Sequence, residues 1–389
     1  MIEPEKLLYL DNNATTAIDP SVLASMRPFL EDFFANPSSG YGFAAHVRDA
    51  IEEARRQVAD LLGCEAGEIV FTSGGTESNN TAFHSALEAA PDRRHVVTTA
   101  VEHSAVLRPA KDLENRGYAV TFLKVDKSGQ LNLNELADAI GPDTGLLSVM
   151  WANNETGVIF PIEEIAAIAR EKKVPFHTDA VQAAGKIEIK LVEFPLQFLS
   201  ISGHKLHGPK GVGALYVNRR ARFRALLLGG SHENNRRAGT ENAASIIGFG
   251  KAAEIAQDTM REEQVRVRRM RDRFERCLLE RISGASVNGA GAERLPNTSS
   301  IMFDDIESDA ALLMLDQKNV CCSAGSACRT GSLKPSHVLS AMGLLGDEAR
   351  GSLRFSFGRF NTEAEVDRVL KIVPEVIAKL RALAPALAG

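Results

Sequence analysis

The sequence predicts an α/β fold: a large body with a mainly parallel sheet flanked by helices, joined to a smaller α+β body. Three observations predict it. Short β-type runs alternate with amphipathic helical stretches as far as Gly239. A long, proline-free helical stretch then runs from Glu241 to about Ile282. Beyond it, strands and helices follow one another in mixed order. Strict β/α alternation implies parallel strands covered on both faces, and the change of style after the long helix implies a second body.

Taken in order, Val47, Ile51, Ala54, Val58 and Leu61 recur at three- and four-residue steps, which predicts a helix ending near Gly63. Glu68–Thr72 is a short β-type run, followed by a glycine-containing turn and a second helix. His95–Thr99, Ala119–Val125, Leu146–Trp151, Val174–His177 and Gln197–Ser202 read as buried strands. Pro161–Lys173 reads as one of the helices between them, with Pro161 suited to a helix start. The second body comprises a strand (Thr298–Phe303), a helix (Asp309–Lys318), a Gly/Ser/Cys loop (Ser323–Gly331), a strand (Gly351–Phe357) and a terminal helix (Thr362–Leu383). The expected division is 15–258 for the large domain, and 1–14 with 259–389 for the small one.

Composition narrows the function classes. The 389 residues carry a net charge of −5, whereas a nucleic-acid protein usually shows a basic field. Arginines cluster between Arg266 and Arg273, but Glu262, Glu263 and Asp272 lie among them, so a solvated helix face is expected. The run Met1–Leu10 lacks the apolar core of a signal peptide, and no stretch approaches the ~20 apolar residues of a membrane span. The five cysteines, Cys64, Cys277, Cys321, Cys322 and Cys328, fit neither a disulfide framework nor a paired CxxC metal site. A reducing cytoplasm is the expected compartment.

Four features converge on pyridoxal 5'-phosphate (PLP). Ser202-Gly203-His204-Lys205 ends a predicted strand, and a lysine there is placed to meet an aldehyde, the usual covalent anchor of PLP. Alone, such a lysine is far more often a surface residue. Asp179, in His177-Thr178-Asp179-Ala180-Val181-Gln182, could pair with a protonated pyridine nitrogen, and Gln182 with the ring hydroxyl; a capping aspartate is the plainer alternative. Thr72-Ser73-Gly74-Gly75-Thr76-Glu77-Ser78-Asn79-Asn80 joins a strand to a helix and offers backbone N–H groups to a phosphate, though an ordinary glycine turn would look the same. His103, just beyond another strand, could stack on the ring and exchange a proton with substrate. All four fall at strand ends, where sheets of this type bind ligands.

With these residues in place, the chain resembles the NifS-type cysteine desulfurases of the class V aminotransferase family, fold-type I PLP enzymes of aspartate-aminotransferase-like architecture. The matching segments include Tyr9-Leu10-Asp11-Asn12-Asn13-Ala14-Thr15-Thr16, Asn36-Pro37-Ser38-Ser39, Trp151-Ala152-Asn153-Asn154-Glu155-Thr156-Gly157, Arg237-Ala238-Gly239-Thr240-Glu241-Asn242 and Leu353-Arg354-Phe355-Ser356. The resemblance implies roles. Lys205 would anchor PLP and move the substrate's α-proton. Asp179 and Gln182 would hold the ring, and His103 would stack on it. Gly75, Thr76, Ser202 and His204 would bind the phosphate. Thr240 would reach the phosphate of a neighbouring subunit, which implies a homodimer. Asn154, Arg354 and Asn13 would hold the substrate, Arg354 gripping its carboxylate with a planar fork.

PLP chemistry alone leaves transamination, lyase and racemase outcomes open. The loop Cys322-Ser323-Ala324-Gly325-Ser326-Ala327-Cys328-Arg329-Thr330-Gly331-Ser332 resembles the family's catalytic-cysteine loop, with Cys328 as sulfur acceptor. The implied reaction converts L-cysteine to alanine and leaves a persulfide on Cys328, to be passed to an iron–sulfur scaffold or another acceptor protein. Arg329 stands where the family pattern has threonine or serine, and a cation there should favour the Cys328 thiolate. Cys321 and Cys322 replace common serines and are expected near the core of the small domain. The nearest enzyme rival is a selenocysteine lyase or another class V PLP enzyme, such as a small-amino-acid aminotransferase; a non-catalytic sulfur-relay or scaffold protein is the alternative of a different class, against which Lys205, Asp179 and His103 argue.

Overall fold

The computed structural model describes residues 7–194, 196–324, 336–344 and 347–387. Thirteen strands are present among them. They are β1 (Leu8–Tyr9), β2 (Ile69–Thr72), β3 (His95–Thr99), β4 (Ala119–Leu123), β5 (Thr144–Ser148), β6 (Phe176–Asp179) and β7 (Phe198–Ser202). They continue with β8 (Gly213–Val217), β9 (Ala285–Val287), β10 (Thr298–Phe303), β11 (Val320–Cys321), β12 (Ser323–Ala324) and β13 (Ser352–Ser356).

Seven strands form the main sheet, in the order β2-β8-β7-β6-β5-β3-β4. The pairs from β4 to β7 are parallel, and β8 runs antiparallel to both β7 and β2. Two reversals cancel, so β2 points the same way as the parallel strands. The carboxyl ends of β2, β3, β6 and β7 therefore share one edge, which brings Thr72, Thr99, Asp179 and Ser202 to it. Strand β8 is the one element of this sheet that the alternation pattern did not reveal. It needs no crossover helix, being antiparallel to its neighbour.

Helices cover this sheet because their apolar stripes have nowhere else to go. The helix Gly42–Leu62 buries Val47, Ile51, Ala54 and Val58 and stops on Gly63, whose left-handed φ of 62° suits a glycine. Observed boundaries sit within a few residues of expectation: Ile162–Glu171 for the helix after Pro161, Ala243–Arg281 for the long helix and Glu363–Leu387 for the last.

A second, antiparallel sheet has the order β12-β13-β10-β9. The short parallel pair of β1 with β11 ties the N-terminal segment to the same region. Beside them lies a separate apolar cluster that includes Leu8, Leu10, Phe303, Leu353 and Phe355. The long helix serves both cores. Ile246, Phe249, Ala253 and Ala256 enter the first, and Val267, Met270, Phe274 and Leu278 enter the second.

Two arginines of the cluster on that helix depart from the expected solvated face, while Arg268 and Arg269 are exposed as expected. Arg271 is buried and donates to the carbonyls of Leu295 (3.1 Å) and Thr298 (3.3 Å). Arg266 donates to the carbonyls of Asn361 (2.8 Å) and Arg359 (2.6 Å). A helix flanked by two bodies lets long side chains reach loop carbonyls that the helix backbone cannot satisfy. Among the described residues, no helix is long and apolar enough to cross a membrane.

Candidate active site

At the shared strand edge the chain encloses a cavity of about 240 Å³. Its walls include Lys205, Asp179, His103, Gln182, Asn154, Gly75, Thr76, Ser202 and His204. Nine residues singled out from the sequence, from five separate segments, thus face one space.

Lys205 follows β7 in a single 3₁₀ turn, Gly203–Lys205. Its Nζ donates to the backbone carbonyls of Asn13 and Ala14, the latter at 2.7 Å. Asp179 is the last residue of β6. Its Oδ2 accepts from Asn79 Nδ2 (2.7 Å) and its Oδ1 from the Val181 N–H (3.0 Å). Two donors hold the carboxylate in one orientation with lone pairs to spare.

The glycine turn opens the helix Gly75–Glu88, whose start carries no side-chain cap. Gly74 has φ 146°, a conformation that side-chain-bearing residues avoid, and a Cβ on Gly75 would lie 2.7 Å from Val181 Cγ2. Asn79, one turn along the same helix, lines the cavity. Its Oδ1 is buried without a hydrogen-bond partner.

His103 is the N-cap of the helix Ser104–Asn115, and its Nδ1 accepts from the Ala105 N–H at 3.1 Å. That bond puts the proton of the neutral ring on Nε2. Burial lowers the proton affinity of His103; Asp179 opposes the shift, and Lys205 and His337 add to it. His204 is pushed down to about 4, by burial first and then by the charges of Lys205, Lys210 and Lys186. Both rings are therefore hydrogen-bonding groups rather than cations at neutral pH.

The proposed substrate side adjoins this cavity. The Asn154 carbonyl accepts from Asn13 Nδ2 (3.2 Å) and Arg354 Nη1 (2.9 Å). Asn13 is buried and also donates to Thr298 Oγ1 at 2.8 Å. Arg354 is buried, pairs through Nη2 with Asp11 Oδ1 (2.7 Å) and keeps an unpartnered Nε. Asp11 Oδ1 also accepts from Ser323 Oγ (2.9 Å) on β12.

One assigned residue lies elsewhere. Thr240 is exposed and does not line the cavity of its own chain. Arg237, just before it, pairs with Glu77 in the first turn of the glycine-led helix, at 2.9 and 3.2 Å. Cys328 lies outside the described residues. Cys321 ends β11, and Cys322 packs against the second apolar cluster, where burial pushes its thiol pKa up.

Four neighbours of the site were given no role from the sequence, although the first three stand beside or within the segments read there: Asp11, Asn79, Glu102 and Lys186. Asn79 was detectable, since it stands four residues after Gly75 and so shares its helix face. Glu102 is fully buried and accepts from Thr99 Oγ1 (2.9 Å) and the Met150 N–H (2.8 Å). Nothing in its sequence neighbourhood marks that burial.

Comparison with known proteins is consistent across sequence and structure. The family model of class-V aminotransferases matches residues 8–369. A cysteine desulfurase from Nostoc sp. is 51% identical over 379 residues, covering 97% of this chain and 95% of that one. A NifS-like protein of known structure superposes with a TM-score of 0.90 at 36% identity, covering 96% of this chain and 100% of its own. A structure of SspA in complex with cysteine gives a TM-score of 0.79 at 36% identity, over 91% of this chain and 99% of that one.

Proposed function

The chain belongs to the aminotransferase class-V family, and on that premise we propose that it is a PLP-dependent cysteine desulfurase supplying sulfur for iron–sulfur cluster assembly. The observation that carries the reading is the single cavity shared by Lys205, Asp179, His103, Gln182 and the glycine-led helix start.

The residues fit the coenzyme. The family and its fold use PLP in general, and the donor set here matches each part of it. A fixed carboxylate, Asp179, suits a protonated pyridine nitrogen. An uncapped helix start with glycines and Thr76 suits a phosphate. The unpartnered Asn79 Oδ1 and the missing Cβ of Gly75 leave polar and steric room beside these groups. Lys205 is the covalent anchor. When bound, PLP supplies an electron-withdrawing ring that takes up the charge left as a substrate α-proton departs.

This chain's residues do the rest. Arg354 binds the carboxylate of L-cysteine, helped by Asn13 and Asn154, and the bound cysteine of SspA supports that substrate class. Lys205 Nζ takes the α-proton and returns one to carbon. His103, neutral with its proton on Nε2, accepts or donates the thiol proton. The Cys328 sulfur bonds to the substrate sulfur as the substrate C–S bond breaks. Carbon is reduced and sulfur oxidised, so cysteine and the Cys328 thiol become alanine and a persulfide with no outside oxidant. Thr240, exposed on its own chain, serves the phosphate site of a second copy in a homodimer. Residues 15–258 form the coenzyme-binding domain, and 1–14 with 259–389 the smaller one.

Cys328→Ala tests the reading. The variant is expected to keep the yellow absorbance of bound coenzyme and lose sulfide release in dithiothreitol. Full retained activity would show that another group accepts the sulfur.

A further inference from the structure

Gln182 and Lys186 lie four residues apart in the turns that follow β6. We propose that Lys186 is a positioning residue that locks the Gln182 side-chain amide with its N–H₂ edge toward the coenzyme ring. The inference rests on the PLP reading above and assigns a role to a residue outside it.

A glutamine amide can sit either way round, and only its partners decide. Here both partners vote the same way. Lys186 Nζ lies 3.4 Å from Gln182 Oε1 and 2.9 Å from the Gln182 backbone carbonyl. It touches two acceptors, so it donates to both. On the other side, Gln182 Nε2 is 2.9 Å from the Asn13 carbonyl, which can only accept. Reversing the amide would face Oε1 to a carbonyl and N–H₂ to an amine that is already donating. One N–H of Nε2 goes to Asn13, and the second remains for an acceptor in the cavity that Gln182 lines.

Asn13 holds one edge of the amide; its carbonyl, with two lone pairs, accepts from Gln182 Nε2 and also from Lys205 Nζ. Lys186 supplies the other half of the lock. It stands behind the site, against a small second cavity that it lines together with Lys205. Burial, then the charge of Lys205, lowers its pKa to about 7. Placing an amine there opposes its charged form, and positioning the amide accounts for the placement.

A lock of this kind acts on one atom of the coenzyme. With N–H₂ presented, the amide donates to the ring hydroxyl oxygen and favours its anionic form. With Oε1 presented, it does the opposite. The test therefore compares PLP with 3-deoxypyridoxal 5'-phosphate, which lacks that oxygen. Dissociation constants of both are measured for the wild type, Lys186→Met and Lys186→Arg. The preference for PLP over the deoxy analogue is expected to shrink about fivefold to tenfold in Lys186→Met and to recover in Lys186→Arg. Equal weakening of both ligands, or an unchanged preference, would overturn the lock, since a merely structural lysine cannot sense the missing oxygen. A wild type that binds neither compound would instead overturn the coenzyme reading. If Lys186→Met does not fold, a crystal structure of the wild-type holoprotein decides: Lys186 turned away from the Gln182 amide, with Oε1 facing the ring oxygen, would end the proposal.

Discussion

His103 shows how one residue can hold two jobs on two nitrogens. Its Nδ1 caps the helix Ser104–Asn115, which leaves Nε2–H for chemistry. Protonating Nδ1 would set two N–H groups against each other at the positive end of a helix, so cap and neutrality reinforce one another. The two jobs separate by mutation. His103→Ala is expected to lose sulfide release and about 1 kcal/mol of stability, the usual worth of a cap. His103→Asn should recover most of the stability, because asparagine caps well, but not the activity. A thermal melt beside a sulfide assay checks both, and activity surviving in His103→Asn would remove the histidine from proton handling. At this scale the sequence was partly legible. Lys205, Asp179 and His103 could be picked out because each follows a β-type run. The pairing of Asp11 with Arg354 could not, because 343 residues separate them and only the fold closes the gap. Lys186 was hidden for a different reason: a lysine near a turn looks like surface until its Nζ is placed among carbonyls.

Among elements, the one that matters most to the site is the start of the helix Gly75–Glu88. A phosphate needs backbone N–H groups within reach, and a Cβ at the first position would push Val181 Cγ2, 2.7 Å away, toward the same space. Gly75→Ala is expected to weaken PLP binding about tenfold or more, the order of cost that overpacking brings. Val181→Ala in the same chain removes the clashing methyl and should restore most of the affinity. Fluorescence titration of the apoprotein reads both, and a double variant as weak as the single one would place the defect in the turn's backbone rather than in the contact. The alternating pattern made this helix and its strand visible, since β2 and β3 are buried along their whole length and read as short β-type runs. Strand β8 escaped because Gly213-Ala214-Leu215-Tyr216-Val217 follows β7 without the helix that marks a parallel crossover. Edges moved by a residue or three wherever the apolar run outlasted the hydrogen-bonded ladder, as at Leu146–Trp151, where the strand closes at Ser148.

For the molecule as a whole, the site edge is stitched together by a buried acid. Glu102 accepts from Thr99 and Met150, and its backbone carbonyl lies 2.9 Å from His337 Nε2, so it joins the ends of β3 and β5 to the segment after the cysteine loop. Burial, the largest cause, raises its pKa from 4.5 to about 8, with Asp179 adding to the shift and the two donors opposing it. The sign of the consequence follows. In the unfolded chain Glu102 loses its proton near 4.5, while in the fold it keeps it until about 8. The folded state thus binds the extra proton between these values, and this group's contribution to stability, full below pH 4.5, drains away as pH rises to 8. The slope is about 1.4 kcal/mol per pH unit where only the folded state holds the proton. Glu102→Gln replaces the acid with a neutral group of the same shape and removes that slope. Urea unfolding of the wild type and Glu102→Gln at half-unit steps from pH 5 to 9 is the measurement. The buried histidines, whose lowered proton affinities give the opposite slope at acid pH, are common to both proteins and cancel in the difference. The stability of the variant relative to the wild type is expected to climb steadily from pH 5 and level off near 8. Parallel curves would mean that Glu102 is already ionised in the fold, and that a charge, not a neutral carboxyl, joins the three segments beside His103.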